Sequence, residues 1–475
     1  MIPYRYISFF LSTFFIFHDS ASRAIPPLAM IGGMVKKNCS DPLDHGDFCW
    51  SDQLQANFLG VFYYGYCLQM LSTYLAARAG FNTCVRLALF VCAVIQLTTP
   101  IMISFSPVLA IVVQGCRGFV SGLFITMNFE CARKWGLNNE GKFVISFCGM
   151  MNYFGTGAGP FIAGLLAESV GWVYAYYLSG GVFLVVFLIQ CALVPDDPVD
   201  ARFMSSKERG MFVEKKQRED LEPANKTTIS LKSLFQRRFL YCFSIYQICR
   251  NFLYYSVLTM LPFYLNEMFG KDTEFLAFYS LAMCLSLAFS AFIWGSILPC
   301  VDQRMSWFKS RIFILTVPMI IRGACFAVIP FIKSIEGCIA LLVLHNVMEA
   351  TVYSGGLMTV SFELDPAHSK VVVGVHNGVG QTAGFIAPLV SAAFTSVDET
   401  RPDYWEVRGR RWRNFLLLNS GVATVAVASV FVAVAWRRSE WRKHPSLCFE
   451  SKEEEDKVKE TENGIVIKNV AAGCC

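Results

Sequence analysis

Ten ionisable side chains stand inside otherwise apolar stretches of this sequence: His18, Asp19, Arg23, Arg117, Glu130, Arg250, Arg322, His345, Glu349 and His376. Such a group is costly in apolar surroundings and is expected to face a cavity or a partner, marking a site. Two of them, Arg23 and Arg250, suggest a definite chemistry. Two guanidiniums facing one cavity would grip a carboxylate or a phosphate, because the planar fork presents paired donors to paired oxygens. The competing reading is a local ion pair, since Asp19 lies four residues before Arg23 on the same helical face. Asp19, Glu349 and His345 are the candidate proton carriers. His345 and Glu349 are four apart, as a relay or a structural hydrogen bond would require. His18 and Arg117 are further cavity candidates. Glu130 with Arg133, and Arg322, are expected to pair or snorkel near span ends. No nucleophile–base pair and no metal-ligand spacing occurs, so neither an enzyme, a metal nor a cofactor is expected.

The elements that must position these groups follow from composition. Of 475 residues, 54% are hydrophobic and 16% charged, against about 25% charged in a soluble domain. The charges concentrate in residues 196–238 and 437–475. This excludes a soluble enzyme and a nucleic-acid binder, because the net charge of +5 forms no basic face. A membrane helix needs about 20 mostly apolar residues. Twelve windows qualify: 6–34, 53–77, 84–106, 107–132, 143–168, 171–194, 239–267, 274–298, 311–333, 336–362, 371–395 and 412–436. The first is read as a retained helix rather than a cleaved leader, because it runs past an apolar leader core and contains charges.

The windows divide six and six around the charged stretch 196–238, which opens on Pro195-Asp196-Asp197-Pro198. This predicts an all-α membrane fold of two six-helix bundles, 1–195 and 239–437, joined by a cytosolic linker and followed by a charged tail, 438–475, expected to be disordered. With both termini on one side, 28 basic residues fall on that side and 9 on the other. The positive-inside rule then makes the termini cytosolic. Arg401, Arg408, Arg410, Arg411 and Arg413 dissent, since they fall in an outer loop. Of 18 cysteines only Cys39 and Cys49 lie in the first outer loop, where a disulfide is available to them in an oxidising compartment. Asn38-Cys39-Ser40 is a glycosylation sequon on that side. Asn225-Lys226-Thr227 lies in the linker and is expected to be silent. Glycine repeats occupy equivalent spans in the two halves: Gly149, Gly155, Gly157 and Gly159 in the fifth, and Gly374, Gly378, Gly380 and Gly384 in the eleventh. Small residues there let helices pack closely.

Several stretches, in order, carry a family likeness. They include Phe48-Cys49-Trp50-Ser51, Tyr63-Tyr64-Gly65-Tyr66, Asp196-Asp197-Pro198 with Ser205 and Glu208, Cys249-Arg250-Asn251-Phe252-Leu253-Tyr254-Tyr255, Asn377-Gly378-Val379-Gly380 and Trp412-Arg413-Asn414. The chain resembles the major-facilitator solute carriers of organic anions and phosphate, the group of the vesicular glutamate transporters, sialin and the type I sodium–phosphate cotransporters. The resemblance implies a secondary carrier of a small anion, with H+ or Na+ as coupling ion, in the plasma membrane or a vesicle or lysosome membrane. It implies that Arg23 and Arg250 bind the anion, with Tyr63, Tyr254 and Asn377 beside them. The chain also departs from the family. The span 4 pattern Arg-x-x-Gln-Gly-x-x-Glu-Gly is matched by Gln114, Arg117 one turn later, and Ser121 at the glutamate position linked to proton coupling. Leu59 replaces a histidine of the glutamate branch. These departures leave two alternatives open: a receptor-like protein that moves no solute, and an uncoupled anion uniporter or channel.

Overall fold

The computed structural model describes residues 3–36, 39, 46–69, 71, 80–137, 140–221, 238–305, 307–352, 376–397 and 401–443. The described chain is helical throughout, apart from one isolated bridge between Val35 and Phe48. The first half contains α1 (Arg5–Arg23), α2 (Pro26–Ala29) running into a π-helical turn at Met30–Met34, α3 (Asp52–Tyr66), α4 (Phe81–Phe105), α5 (Pro107–Trp135), α6 (Glu140–Ser169) and α7 (Val173–Leu193). Next is α8 (Ser206–Leu221), within the charged stretch. The second half contains α9 (Arg238–Tyr255), a π-helical turn at Ser256–Met260, α10 (Leu261–Phe269), α11 (Thr273–Arg304), α12 (Trp307–Val328), α13 (Ile335–Thr351), α14 (Ala383–Thr395) and α15 (Tyr404–Lys443).

Helix ends sit where the sequence supplies caps. Ser51 accepts from Leu54 N at 3.3 Å, Asp272 from Phe275 N at 2.8 Å and Ser334 from Gly337 N at 3.3 Å. Pro107 opens α5 directly after Ser106 closes α4. Gly270, at φ +63, turns the chain out of α10.

Among the described residues, six helices are long and apolar enough to cross a membrane: 82–105, 107–124, 173–193, 273–294, 309–331 and 404–435. The expected twelve is therefore matched only in part. Helices do occupy the other windows, but α3 and α14 have only 15 and 13 residues. α1 stops at Arg23, and α9 is rich in tyrosine and amides. Of these elements, α1 carries His18, Asp19 and Arg23, and α9 carries Arg250. Phe105, Phe292 and Phe10 are 83%, 70% and 66% exposed, an outward surface suited to lipid and not to water.

Within the first half α1 packs on α6, α3 on α5 and α4 on α7. Within the second, α9 and α12 both pack on α15, and α11 packs on α13. Across the two, α6 lies against α11 and α3 against α14. Glycines permit both crossings. A Cβ on Gly157 would fall 2.3 Å from Cys284 Cβ, and one on Gly384 2.3 Å from the Tyr63 ring.

Three sequence expectations are corrected here. Arg408, Arg410, Arg411 and Arg413 are not loop residues: they form the first turns of α15, which begins at Tyr404. That helix also runs to Lys443, past the expected bundle end at 437. Cys39 and Cys49 are both exposed. The loop that holds them is closed by backbone hydrogen bonds, from Lys36 N to Phe48 O at 2.9 Å and from Phe48 N to Met34 O at 3.0 Å. Arg322 does not snorkel; it is wholly buried. Asn38, Asn225 and residues 444–475 lie outside the described residues.

Candidate functional site

The ionisable candidates gather into two clusters, one in each half. In the second half, Arg250 on α9 pairs through Nη2 with Glu349 Oε1 on α13 and donates from Nη1 to Asn251 Oδ1 at 2.8 Å. Arg322 on α12 reaches the other oxygen of the same carboxylate, with Nη1 2.7 Å from Glu349 Oε2. Its Nε donates to His345 Nε2 at 3.2 Å and its Nη2 to the Arg250 carbonyl at 3.4 Å. Glu349, Arg322 and His345 are fully buried and Arg250 nearly so. Arg322 thus touches both His345 and Glu349, the two groups whose spacing suggested a relay. The sequence reading missed it by placing Arg322 near a span end, although Arg322 is the midpoint of the window 311–333.

In the first half, Asp19 on α1 does not pair with Arg23. Its Oδ1 accepts from Ser121 Oγ at 2.7 Å and lies 3.5 Å from Arg117 Nη2 on α5. Arg117 also donates to Ser22 Oγ and, at 3.3 Å, to Gln114 Oε1, with its guanidinium 5.1 Å from the Phe62 ring. Gln114 donates to Thr99 Oγ1 at 2.9 Å. The departures from the family pattern are therefore mutually consistent: Arg117, Gln114 and Ser121 form one buried network around Asp19. His18 faces α7, its Nε2 2.8 Å from Ser179 O and its ring 4.4 Å from that of Phe183. It lies inside the first half, away from the contact between halves.

Arg23 is only half-buried. It donates from Nη2 to Asn152 Oδ1 at 3.0 Å and sits 5.9 Å from the Tyr66 ring. Among the described residues it forms no salt bridge. Tyr63, Tyr66 and Tyr255 lie around it, and Asp19, one turn earlier on α1, acts on it electrostatically. Tyr63 on α3 and Tyr255 on α9 meet across the two halves at 4.5 Å, and Tyr254 is 5.2 Å from Tyr255. A chain of amides continues from there. Tyr255 donates to Gln381 Oε1, Gln381 to Asn377 Oδ1 at 3.1 Å, and Asn377 to Gln69 Oε1 at 3.2 Å. Arg23, Tyr63, Tyr254 and Asn377 therefore share one neighbourhood at the contact between halves. Arg250 is one helical turn from Tyr254 on the same element.

One turn beyond Tyr63 and Tyr255, toward the end opposite the chain termini, opens a cavity of about 620 Å³. Leu59, Met260, Trp50, Trp405 and Trp412 line it. Arg408 closes its side, with its fork on Glu267 at 2.9 Å and Nη1 on Asp52 at 2.7 Å. Asp52 starts α3 and Glu267 ends α10, so Arg408 ties the two halves at that end. Among the described residues no group of three His, Cys, Asp or Glu is placed to hold a metal ion.

Residues 7–388 match the sequence pattern of the Major Facilitator Superfamily. The chain belongs to that superfamily. Similar proteins include sodium-dependent phosphate transport protein 3 of Mus musculus, 21% identical over 408 residues, covering 84% of this chain and 82% of that one. A probable small intestine urate exporter of Mus musculus is 22% identical over 404 residues, covering 84% and 79%. Sialin of Ovis aries is 20% identical over 353 residues, covering 73% and 70%. Among solved structures, a bacterial homologue of the human lysosomal transporter Spinster, inward-facing and unoccupied, aligns with a TM-score of 0.71 at 13% identity, covering 91% and 97%. A D-xylose–proton symporter aligns with a TM-score of 0.63 at 10% identity, covering 88% and 96%. These structures share the major facilitator fold. The protein is a multi-pass membrane protein and a secondary transporter, not an enzyme.

Proposed function

We propose that this protein carries a small organic or inorganic anion by alternating access, with Arg23 and Arg250 as its binding residues. One observation carries the reading. Among the described residues, four buried or half-buried arginines, Arg23, Arg117, Arg250 and Arg322, gather about two carboxylates, Asp19 and Glu349. Positive charge that outnumbers negative in these two clusters favours an anion, because uncompensated charge away from water is costly. Arg23, held by neutral Asn152 and ringed by phenols, is the guanidinium open to a ligand. Tyr63, Tyr254 and Asn377 would complete the contacts. The names of two relatives, a phosphate transport protein and a probable urate exporter, agree with an anionic substrate. Coupling to H+ or Na+ would run through Asp19, Glu349 or His345, each of which contacts an arginine. In this reading the bundles comprise 1–195 and 239–437, the termini are cytosolic, and the large cavity is the outer vestibule. Its membrane would be the plasma membrane or that of a vesicle or lysosome.

The test is uptake of labelled phosphate, urate and glutamate into proteoliposomes, with and without a pH gradient, a sodium gradient or a membrane potential. Accumulation against a gradient supports the carrier. Downhill flux alone indicates a uniporter. Saturable binding without flux indicates a receptor and overturns the proposal.

A further inference from the structure

The two clusters share a plan that no motif announces. Each cluster sets two arginines about one buried carboxylate. In the first half Asp19 is taken by Arg117, while Arg23, one turn along, acts on it electrostatically and forms no salt bridge with it. In the second half Glu349 is taken by Arg250 and Arg322 together, one on each carboxylate oxygen. The two arginines differ in where they lie. Arg250 is one helical turn from Tyr254 on α9, the helix that brings Tyr255 to the contact between halves. Arg322 is wholly enclosed, with its remaining donors on His345 and on the Arg250 carbonyl.

We infer that Arg322 is a positioning residue that holds Glu349 so that Arg250 can leave it for an anion. This rests on the anion-carrier reading above and extends it. The physical reason is the cost of a stranded charge. If Arg250 alone held Glu349, turning toward a substrate would leave a carboxylate unpaired away from water, and the pair would stay locked. With Arg322 on the second oxygen, the carboxylate keeps a partner throughout. The hydrogen bond from Arg322 to the Arg250 carbonyl fixes the backbone on which Arg250 turns. Arg117 plays the same part toward Asp19, and there the second arginine, Arg23, has already left. The two halves thus show the same device in its shared and released settings.

The expected consequence is that removing Arg322 weakens anion binding although Arg322 touches no substrate, and that neutralising Glu349 reverses the loss. A readout independent of substrate identity is the rate at which phenylglyoxal modifies Arg250 in the purified full-length protein, followed by peptide mass spectrometry. Arg322→Gln should slow modification of Arg250 by about 10-fold, a typical coupling between contacting residues. Glu349→Gln on that background should restore it to the wild-type rate or above. Arg322→Lys keeps the charge but loses the fork, should show a smaller slowing of about 2-fold, and carries the test should the Gln variant not fold. In parallel, KM for whichever of phosphate, urate or glutamate is taken up should rise with Arg322→Gln.

An unchanged or faster Arg250 modification in Arg322→Gln, or in Arg322→Lys if only that folds, overturns the inference. So does a double variant as slow as the single one, which would mark Arg322 as merely structural. If the labelling pattern holds while none of the probe anions is bound or moved, the carrier reading fails and the release device stands. If transport holds while Arg322→Gln leaves both readouts alone, the reverse is true.

Discussion

At the scale of residues, the decisive contrast is between Arg23 and Arg250. Both stand in equivalent spans, yet one is held by an amide and the other by a carboxylate. Arg23 therefore offers a full charge to a ligand, whereas Arg250 must exchange one anion for another. Arg23→Gln should raise KM for the transported anion by about 10- to 100-fold, the worth of one charge-assisted hydrogen bond. Arg23→Lys should recover only part, because an ammonium cannot present the fork. Unaltered KM in liposome uptake by Arg23→Gln would remove Arg23 from the site. The pattern of candidates was legible in the sequence because an ionisable group in an apolar run is conspicuous. Their partners were not. Asp19 has Arg23 one turn away on its own helix, and only the packing of α5 against α1 shows that Arg117 takes the carboxylate.

At the scale of elements, close packing and charge straps set how the halves can move. α3 and α14 meet where Gly384 has no side chain, and an added Cβ would clash with the Tyr63 ring at 2.3 Å. Gly384→Ala should lower stability by about 1–3 kcal/mol through overpacking and slow uptake. A thermal melt and uptake rate equal to wild type would show that this crossing has slack. The charged stretch is more structured than its composition suggests. Glu208 on α8 accepts from Tyr4 N at 2.8 Å and Arg5 N at 3.1 Å, at the start of α1. Lys215 donates to Lys134 O at 3.2 Å and Gly136 O at 2.8 Å, at the end of α5. An anion at a helix start and a cation at a helix end both suit the helix dipole. Thus α8 is strapped to the first half. Asp197 adds to the strap: the hydrogen bond from Lys216 holds its carboxyl below the ordinary range, against burial that raises it. A depressed carboxyl contributes stability above its unfolded value, about 3.9, and loses it as pH falls through its lower folded value. Intrinsic-rate-corrected hydrogen exchange of residues 206–221 should accelerate between pH 5 and about 3. Lys216→Ala should flatten that dependence, and an equally steep profile in the variant would rule out the Asp197 pair as its cause.

At the scale of the whole molecule, Arg408 is the clearest link between halves at the vestibule end. It joins Asp52 to Glu267 while 7% exposed, and Trp412 reinforces Glu267 through its indole N–H at 2.7 Å. These contacts must part for the halves to separate there. Arg408→Ala should raise the labelling rate of a cysteine placed at Gln55, inside the vestibule, by about 10-fold, as expected for a lost partly buried ion pair. A labelling rate unaffected by the substitution would mean that the vestibule opens without breaking this link. The same arginine explains the dissenting basic cluster. Arg408 pairs with Glu267 and Asp52, Arg401 with Asp403 and Arg410 with Glu406, so much of that positive charge is neutralised locally.

The sequence by itself determined the solvent, the helical class, the family likeness and the shortlist of charges, because each follows from composition and local spacing. An apolar run with one arginine reads the same wherever it packs. Only the tertiary structure decided which carboxylate each arginine meets, that Arg117 and Arg322 serve the clusters from within, and that Arg408 spans the two halves. Those pairings join residues from 27 positions apart, as Arg322 and Glu349, to 356 apart, as Arg408 and Asp52, and the energy of a buried charge depends on what faces it across the helix contact, which no local pattern encodes.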